Sequence, residues 1–107
     1  HDVDPTRRTA LVERLNRLHR GEVTHGSADP TGFDVVLNAT PVGMRAADPY
    51  PLDISRLRPA MFVGCVITVP AVTPFIAAAR AVGCRTTTGV EMFAQVRDRM
   101  VDFLTGA

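Results

Sequence analysis

The chain has 107 residues, 46% of them hydrophobic, with 12 basic and 11 acidic side chains and a net charge of +1. This length and balance suit one globular unit and give no electrostatic footprint for nucleic acid or an anionic membrane surface. Arg, Asp or Pro interrupts every apolar run before it could cross a bilayer, so no membrane partner is expected. Every basic residue is arginine, which reads as genome composition rather than as a binding surface. Cys65 and Cys84 have neither metal-ligand spacing nor the density of a disulfide scaffold. With no basic-then-apolar leader expected at the N-terminus, they read as reduced core thiols of a cytoplasmic protein.

Residues 1–4 look like the end of a strand. Asp4 then serves as a helix N-cap and Pro5 as the first helical residue. Leu11, Leu15 and Leu18 recur at helical spacing, with Arg7, Arg8, Glu13, Arg14 and Arg17 on the other faces. The pattern predicts an amphipathic helix to about His19, ended by Gly21. Residues 22–25 are an expected short strand and residues 27–31 a turn.

The most informative stretch is 32–44. Phe33, Val35, Val36 and Leu37 predict a strand covered on both faces. It stops abruptly at Asn38-Ala39-Thr40-Pro41, where Asn and Thr offer polar side chains, Pro41 ends the ladder and Gly43 allows a close backbone approach. In an open parallel sheet ligands sit just past the carboxyl ends of strands, so this loop is a candidate site, with an ordinary strand-exit turn as the alternative.

Residues 45–59 read as a proline-bearing polar loop with one helical turn near Ile54, and residues 61–69 as a buried strand. Thr73-Pro74 repeats the cap-plus-proline entry, opening a helix over 75–82 that Gly83 stops. Residues 84–88 are the next strand. After Gly89, a final helix carries Val90, Phe93, Val96, Met100 and Phe103 as an apolar stripe, expected to be core. The alternation predicts an α/β fold, a parallel sheet with helical crossovers.

In a dinucleotide-binding fold an acidic residue ending the second strand bonds the adenosine ribose hydroxyls, and its charge repels the extra phosphate of NADP. Asp2 stands where that acid would stand, a merely polar strand end being the alternative. The Gly-rich phosphate loop that would accompany it is not in the sequence; with the first strand, it is expected upstream of His1.

Four segments resemble, in order and spacing, the shikimate/quinate dehydrogenase family. They are Asn38-Ala39-Thr40-Pro41-Val42-Gly43-Met44, Val69-Pro70-Ala71-Val72-Thr73-Pro74, Ala77-Ala78-Ala79-Arg80-Ala81-Val82-Gly83-Cys84 and Gly89-Val90-Glu91-Met92. The resemblance covers essentially the whole chain from Asp2. It implies a Rossmann-like parallel sheet with helices on both faces, lacking its first strand and glycine-rich loop. Residues 1–107 would be part of the NAD(P)-binding C-terminal domain of a two-domain dehydrogenase whose N-terminal substrate domain is absent.

Carried over by position, Asp2 and Arg7 resemble the pair with which NAD-using members hold the adenosine ribose. NADP-using members typically read Asn-Arg-Thr there, so the resemblance implies NAD, with NADP as the alternative. Asn38, Ala39 and Thr40 match the loop that passes beside the cofactor. Val66 falls where the family places an apolar side chain near the nicotinamide, and Gly89 and Met92 match residues lining that end. The family's proton-transferring Lys and Asp lie in the substrate domain. The chain has no lysine, so it is expected to hold no catalytic residue and to be inactive alone.

Three positions depart from the family. Its substrate-site Tyr is Thr68, the Asp three residues earlier is Cys65, and its substrate-binding Gln is Val96, with Gln95 one residue away. One residue rotates a helical side chain by about 100°, so Gln95 does not simply substitute. A pocket lacking its hydrogen-bonding group discriminates strongly against a hydroxylated substrate. Cofactor-side residues are kept while substrate-side ones change, which suggests a related oxidoreductase transferring hydride between NAD(P) and a secondary alcohol of a shikimate/quinate-type cyclic hydroxy acid or related polyol. The alternatives are a non-catalytic dinucleotide-binding sensor or scaffold, and another Rossmann dehydrogenase such as a methylenetetrahydrofolate dehydrogenase. Expected partners are a small-molecule substrate, the missing domain and, on an uncovered sheet edge, a second copy forming a homodimer.

Overall fold

The computed structural model describes residues 1–18 and 21–107. In chain order, helix α1 (Pro5–Leu18) precedes strand β1 (Val35–Asn38), a 3-10 turn (Ile54–Arg56) and strand β2 (Phe62–Cys65). Helix α2 (Pro74–Val82), strand β3 (Arg85–Thr87) and helix α3 (Gly89–Thr105) follow. The strands form a parallel sheet in the order β1-β2-β3, with Val36 opposite Val63 and Leu37 opposite Gly64. The fold is Rossmann-like α/β, and all three strands point their carboxyl ends to one edge.

Local chemistry explains the helix starts. The Asp4 carboxylate accepts the N–H groups of Thr6 and Arg7 at 2.9 and 3.2 Å, with Pro5 next in line. Thr73 does the same for α2 through the Ile76 N–H, and Thr88 shares a reciprocal capping box with Glu91 at the start of α3. Gly83 closes α2 at φ +100°, a conformation that a residue with a Cβ strains to reach.

The core lies on one face of the sheet. Val36, Val63, Cys65 and Ile67 meet Phe75, Ile76 and Ala79 of α2, joined by Leu57, the residue that follows the 3-10 turn. Phe75 and Ile76 are buried completely, which at roughly 1.5–3 kcal/mol each makes α2 the main stabilising cover.

Four expectations need correction. Residues 22–25 are not a strand, because the Asn16 side chain takes both the N–H and the C=O of Val23 and leaves no ladder for them to join. The expected helix end at His19 lies outside the described residues. Residues 1–4 are a bend and not a strand end, since Asp2 turns the chain by accepting the Asp4 N–H at 2.8 Å.

Strand β1 is covered on one face only, with Val35 and Leu37 on the other face 64% and 53% exposed. It also starts after Phe33, whose N–H closes a turn on the Pro30 carbonyl at 3.2 Å. The α3 stripe is not core either: Val90, Phe93, Val96, Met100 and Phe103 are all exposed, because α3 leaves the sheet after its first turn and meets no second layer among the described residues.

Candidate functional site

The carboxyl ends of β1, β2 and β3 bring Asn38, Val66 and Thr88 to the same edge of the molecule. Beside β1 that edge opens into a cleft of about 580 Å³. Asp2 and Arg7 line one side of it, Asn38, Ala39, Thr40 and Val42 another, and Pro30, Val35, Leu37 and Leu52 supply apolar wall. Five of the residues singled out in the sequence, from two stretches more than 30 positions apart, therefore share one cavity.

The loop after β1 is held by its own side chains. Asn38 is buried; its Oδ1 accepts the Thr40 N–H at 3.1 Å and the Thr40 hydroxyl at 2.7 Å, while its Nδ2 donates to the Val42 carbonyl at 3.0 Å. Thr40 Oγ1 in turn accepts the Val42 N–H at 3.1 Å. Further along, the Asp48 carboxylate accepts the N–H groups of Gly43 and Arg45 at 2.9 and 3.0 Å, and these two bonds hold its carboxyl below the usual aspartate range.

On the opposite side, Asp2 turns one carboxylate oxygen onto the Asp4 N–H, and Arg7 rests against Asp4 at 3.6 Å on an exposed surface. The exposed Arg7–Asp4 pair contributes little stability, which leaves the guanidinium free to reorient toward a ligand. Asp29 also lines the cleft, its carboxyl held below the ordinary value by hydrogen bonds from the hydroxyl and N–H of Thr31. Asp29, Pro30 and Leu52 escaped the sequence reading, because residues 27–31 show only a turn signal and nothing in the pattern places 51–52 beside β1.

The remaining candidates lie along the same edge but outside this cleft. Val66 is partly exposed just past β2, its N–H bonded to the Asn38 carbonyl at 3.0 Å. Gly89 is buried at the first turn of α3, where a Cβ would overlap the backbone of Ile67 and crowd the Val66 carbonyl. Only glycine lets α3 start so close to β2. Met92 is half-buried one turn on, whereas Thr68 and Gln95 are exposed and take no part in the cleft. Among the described residues no group of His, Cys, Asp or Glu could hold a metal ion, and no helix is long and apolar enough to cross a membrane.

A parallel α/β sheet with a part-polar, part-apolar cleft at its carboxyl edge belongs to the Rossmann-type class. No family model matches the chain. A quinate/shikimate dehydrogenase (NAD(+)) from Corynebacterium efficiens is 40% identical over 98 residues, which is 85% of this chain and 34% of the relative. The solved quinate dehydrogenase from Corynebacterium glutamicum in complex with NAD superposes with a TM-score of 0.74 at 36% identity, covering 85% of this chain and 34% of that one. The ligand-free 5-ketofructose reductase of a Gluconobacter strain superposes with a TM-score of 0.84 at 25% identity, over 97% of this chain and 40% of that one. The chain is thus a homologue of the shikimate/quinate dehydrogenases, spanning about one third of the length of the curated relatives it matches.

Proposed function

We propose that this chain is the cofactor-binding part of an NAD-dependent shikimate/quinate dehydrogenase-like oxidoreductase, residues 1–107 belonging to its dinucleotide-binding domain. The observation that carries the proposal is the meeting of Asp2 and Arg7 with Asn38, Ala39 and Thr40 in one cleft. The polar end of that cleft suits a ribose, with Asp2 accepting from its hydroxyls and disfavouring a 2′-phosphate, while Val35, Leu37 and Pro30 offer an apolar wall to a base. Val66, Gly89 and Met92, further along the same edge, are where the nicotinamide end would lie.

When bound, the dinucleotide supplies hydride transfer at a secondary alcohol or ketone; the chain's own work is to bind and orient it. Gly89 keeps α3 seated against β2, and Val66 presents an apolar surface that excludes water. The resemblance assigns the proton that accompanies the hydride to a Lys and an Asp of a further domain, and no lysine is present here to take that role. Cys65 and Cys84 are free and buried, which supports a reducing compartment such as the cytoplasm. As β1 is the edge strand of the described sheet, it is expected to be covered by further chain or by a second copy.

Thr68 and Val96, standing where the family's substrate-binding Tyr and Gln are expected, favour a polyhydroxylated alcohol and ketone pair other than shikimate and its ketone, and the close superposition on a 5-ketofructose reductase supports the same direction. The test uses the protein from the complete reading frame, following NADH and NADPH fluorescence with shikimate, quinate and fructose as alcohols and 5-ketofructose as ketone. Turnover with NAD(H) on any of them supports the proposal. Cofactor binding with no turnover on all of them would favour a sensor or scaffold, and no cofactor binding would overturn the proposal.

A further inference from the structure

The loop expected to lie beside the cofactor begins at Asn38, yet the Asn38 side chain has nothing left to offer a ligand. An amide has two N–H donors and an oxygen with two lone pairs. Both lone pairs face Thr40, through its N–H at 3.1 Å and its hydroxyl at 2.7 Å. The Nδ2 group donates to the Val42 carbonyl at 3.0 Å and to Cys65 Sγ at 3.4 Å. The side chain is 3% exposed, and its own backbone carbonyl accepts from Val66 at 3.0 Å. One residue therefore ties positions 40 and 42 of the loop to each other and to the end of β2.

We infer that Asn38 is a positioning residue for the dinucleotide and not one of its ligands: its amide, with Thr40 Oγ1 as relay and Cys65 as buried backstop, holds residues 39–42 as a preformed wall of the cleft. This rests on the dinucleotide reading above. Preformation raises affinity because the loop is ordered before the ligand arrives. It depends on the amide's polarity, since a carboxylate of the same shape would turn an oxygen against the Val42 carbonyl, which can only accept, and like poles there would push the wall open.

The experiment titrates NADH into the full-length protein by fluorescence, well below the unfolding midpoint of every variant used. Asn38→Asp is expected to weaken NADH binding roughly tenfold or more. Thr40→Val, which removes the relay hydroxyl and keeps the Thr40 N–H, is expected to weaken it about threefold. Val63→Ala, a core change on the neighbouring strand outside the cleft, lowers the unfolding midpoint but is expected to leave NADH affinity within about twofold. A merely structural Asn38 would make Asn38→Asp and Val63→Ala alike, and that result would overturn the inference. So would unchanged affinity in Asn38→Asp and Thr40→Val. Should Asn38→Asp fail to fold, unchanged affinity in Thr40→Val alone overturns it. A wild-type protein that binds no NADH overturns the dinucleotide reading itself, and the positioning role with it.

Discussion

Two neighbouring strands leave the sheet at the same edge and do so in opposite ways. Past β1 the chain is polar and locked: Asn38, Thr40 and Asp48 use their side chains to satisfy the loop's own backbone. Past β2 it is largely apolar and open, with Val66 partly exposed and Val69 and Val72 facing solvent until Thr73 caps the next helix. The two exits therefore suit different parts of a ligand. A locked loop suits a ligand portion met in a fixed pose, whereas an open apolar segment suits a surface completed by something else. Of the positions expected to depart from the family, Cys65 is buried in β2, Thr68 is exposed on the exit past it and Val96 is exposed on α3, whereas those expected to match, Asn38, Ala39 and Thr40, belong to the locked exit.

The comparison breaks most readily at Gly89, where α3 rests on the β2 exit. Gly89→Val forces a side chain into the Ile67 backbone and should cost about 3 kcal/mol or more. Denaturant unfolding reads it, and a midpoint unchanged from wild type would mean that the two segments are not in register as described. Thr73→Ala removes the buried hydroxyl that accepts the Ile76 N–H and should cost about 1–2 kcal/mol, read in the same way. A much smaller cost would show that the β2 exit is held from elsewhere.

On the locked side, Asp2→Asn should shift the ratio of NAD to NADP affinity toward NADP by about tenfold, a differential of roughly 1.4 kcal/mol. Paired titrations measure it, and an unchanged ratio would remove the ribose role from Asp2.

The smallest effect is on stability in acid. The folded-state pKa of Asp48 lies below its ordinary 3.8, and that of Glu91 below its ordinary 4.5. Both carboxylates therefore contribute stability that is fully present above those ordinary values and is lost as pH falls through the lower folded ones. Thermal midpoints from pH 6 down to about pH 3 should fall, and Asp48→Asn should flatten part of that decline. A variant with the same acid profile as wild type would show that the Asp48 bonds to Gly43 and Arg45 do not persist in solution.

The sequence made two helix starts legible because their signals are local: an Asp or Thr followed by Pro satisfies backbone donors without reference to the rest of the chain. The reciprocal box of Thr88 and Glu91 is just as local and was passed over in favour of Gly89. The parallel sheet followed from apolar runs alternating with helical stripes. Burial was harder to read. The stripe Val90-Phe93-Val96-Met100 has the pattern of a buried helix, but a pattern states what a face could cover, not whether a partner is there. Val35 and Leu37 misled in the same way, as did Val23, whose backbone is satisfied by a side chain seven residues away. In the site, the resemblance singled out Asp2 and Arg7 with the 38–40 loop, and the fold brings them to one cleft. The exhausted amide of Asn38 and the contribution of Asp29 are visible only in the fold, since hydrogen-bond partners do not follow from residue type.

The most direct test of the central claim is a crystal structure of the full-length protein soaked with NAD. The adenosine ribose hydroxyls are expected within hydrogen-bonding distance of the Asp2 carboxylate, with Ala39 and Thr40 alongside. A dinucleotide bound with its adenosine end away from Asp2, or no dinucleotide in the cleft at a concentration that saturates binding in solution, would contradict it.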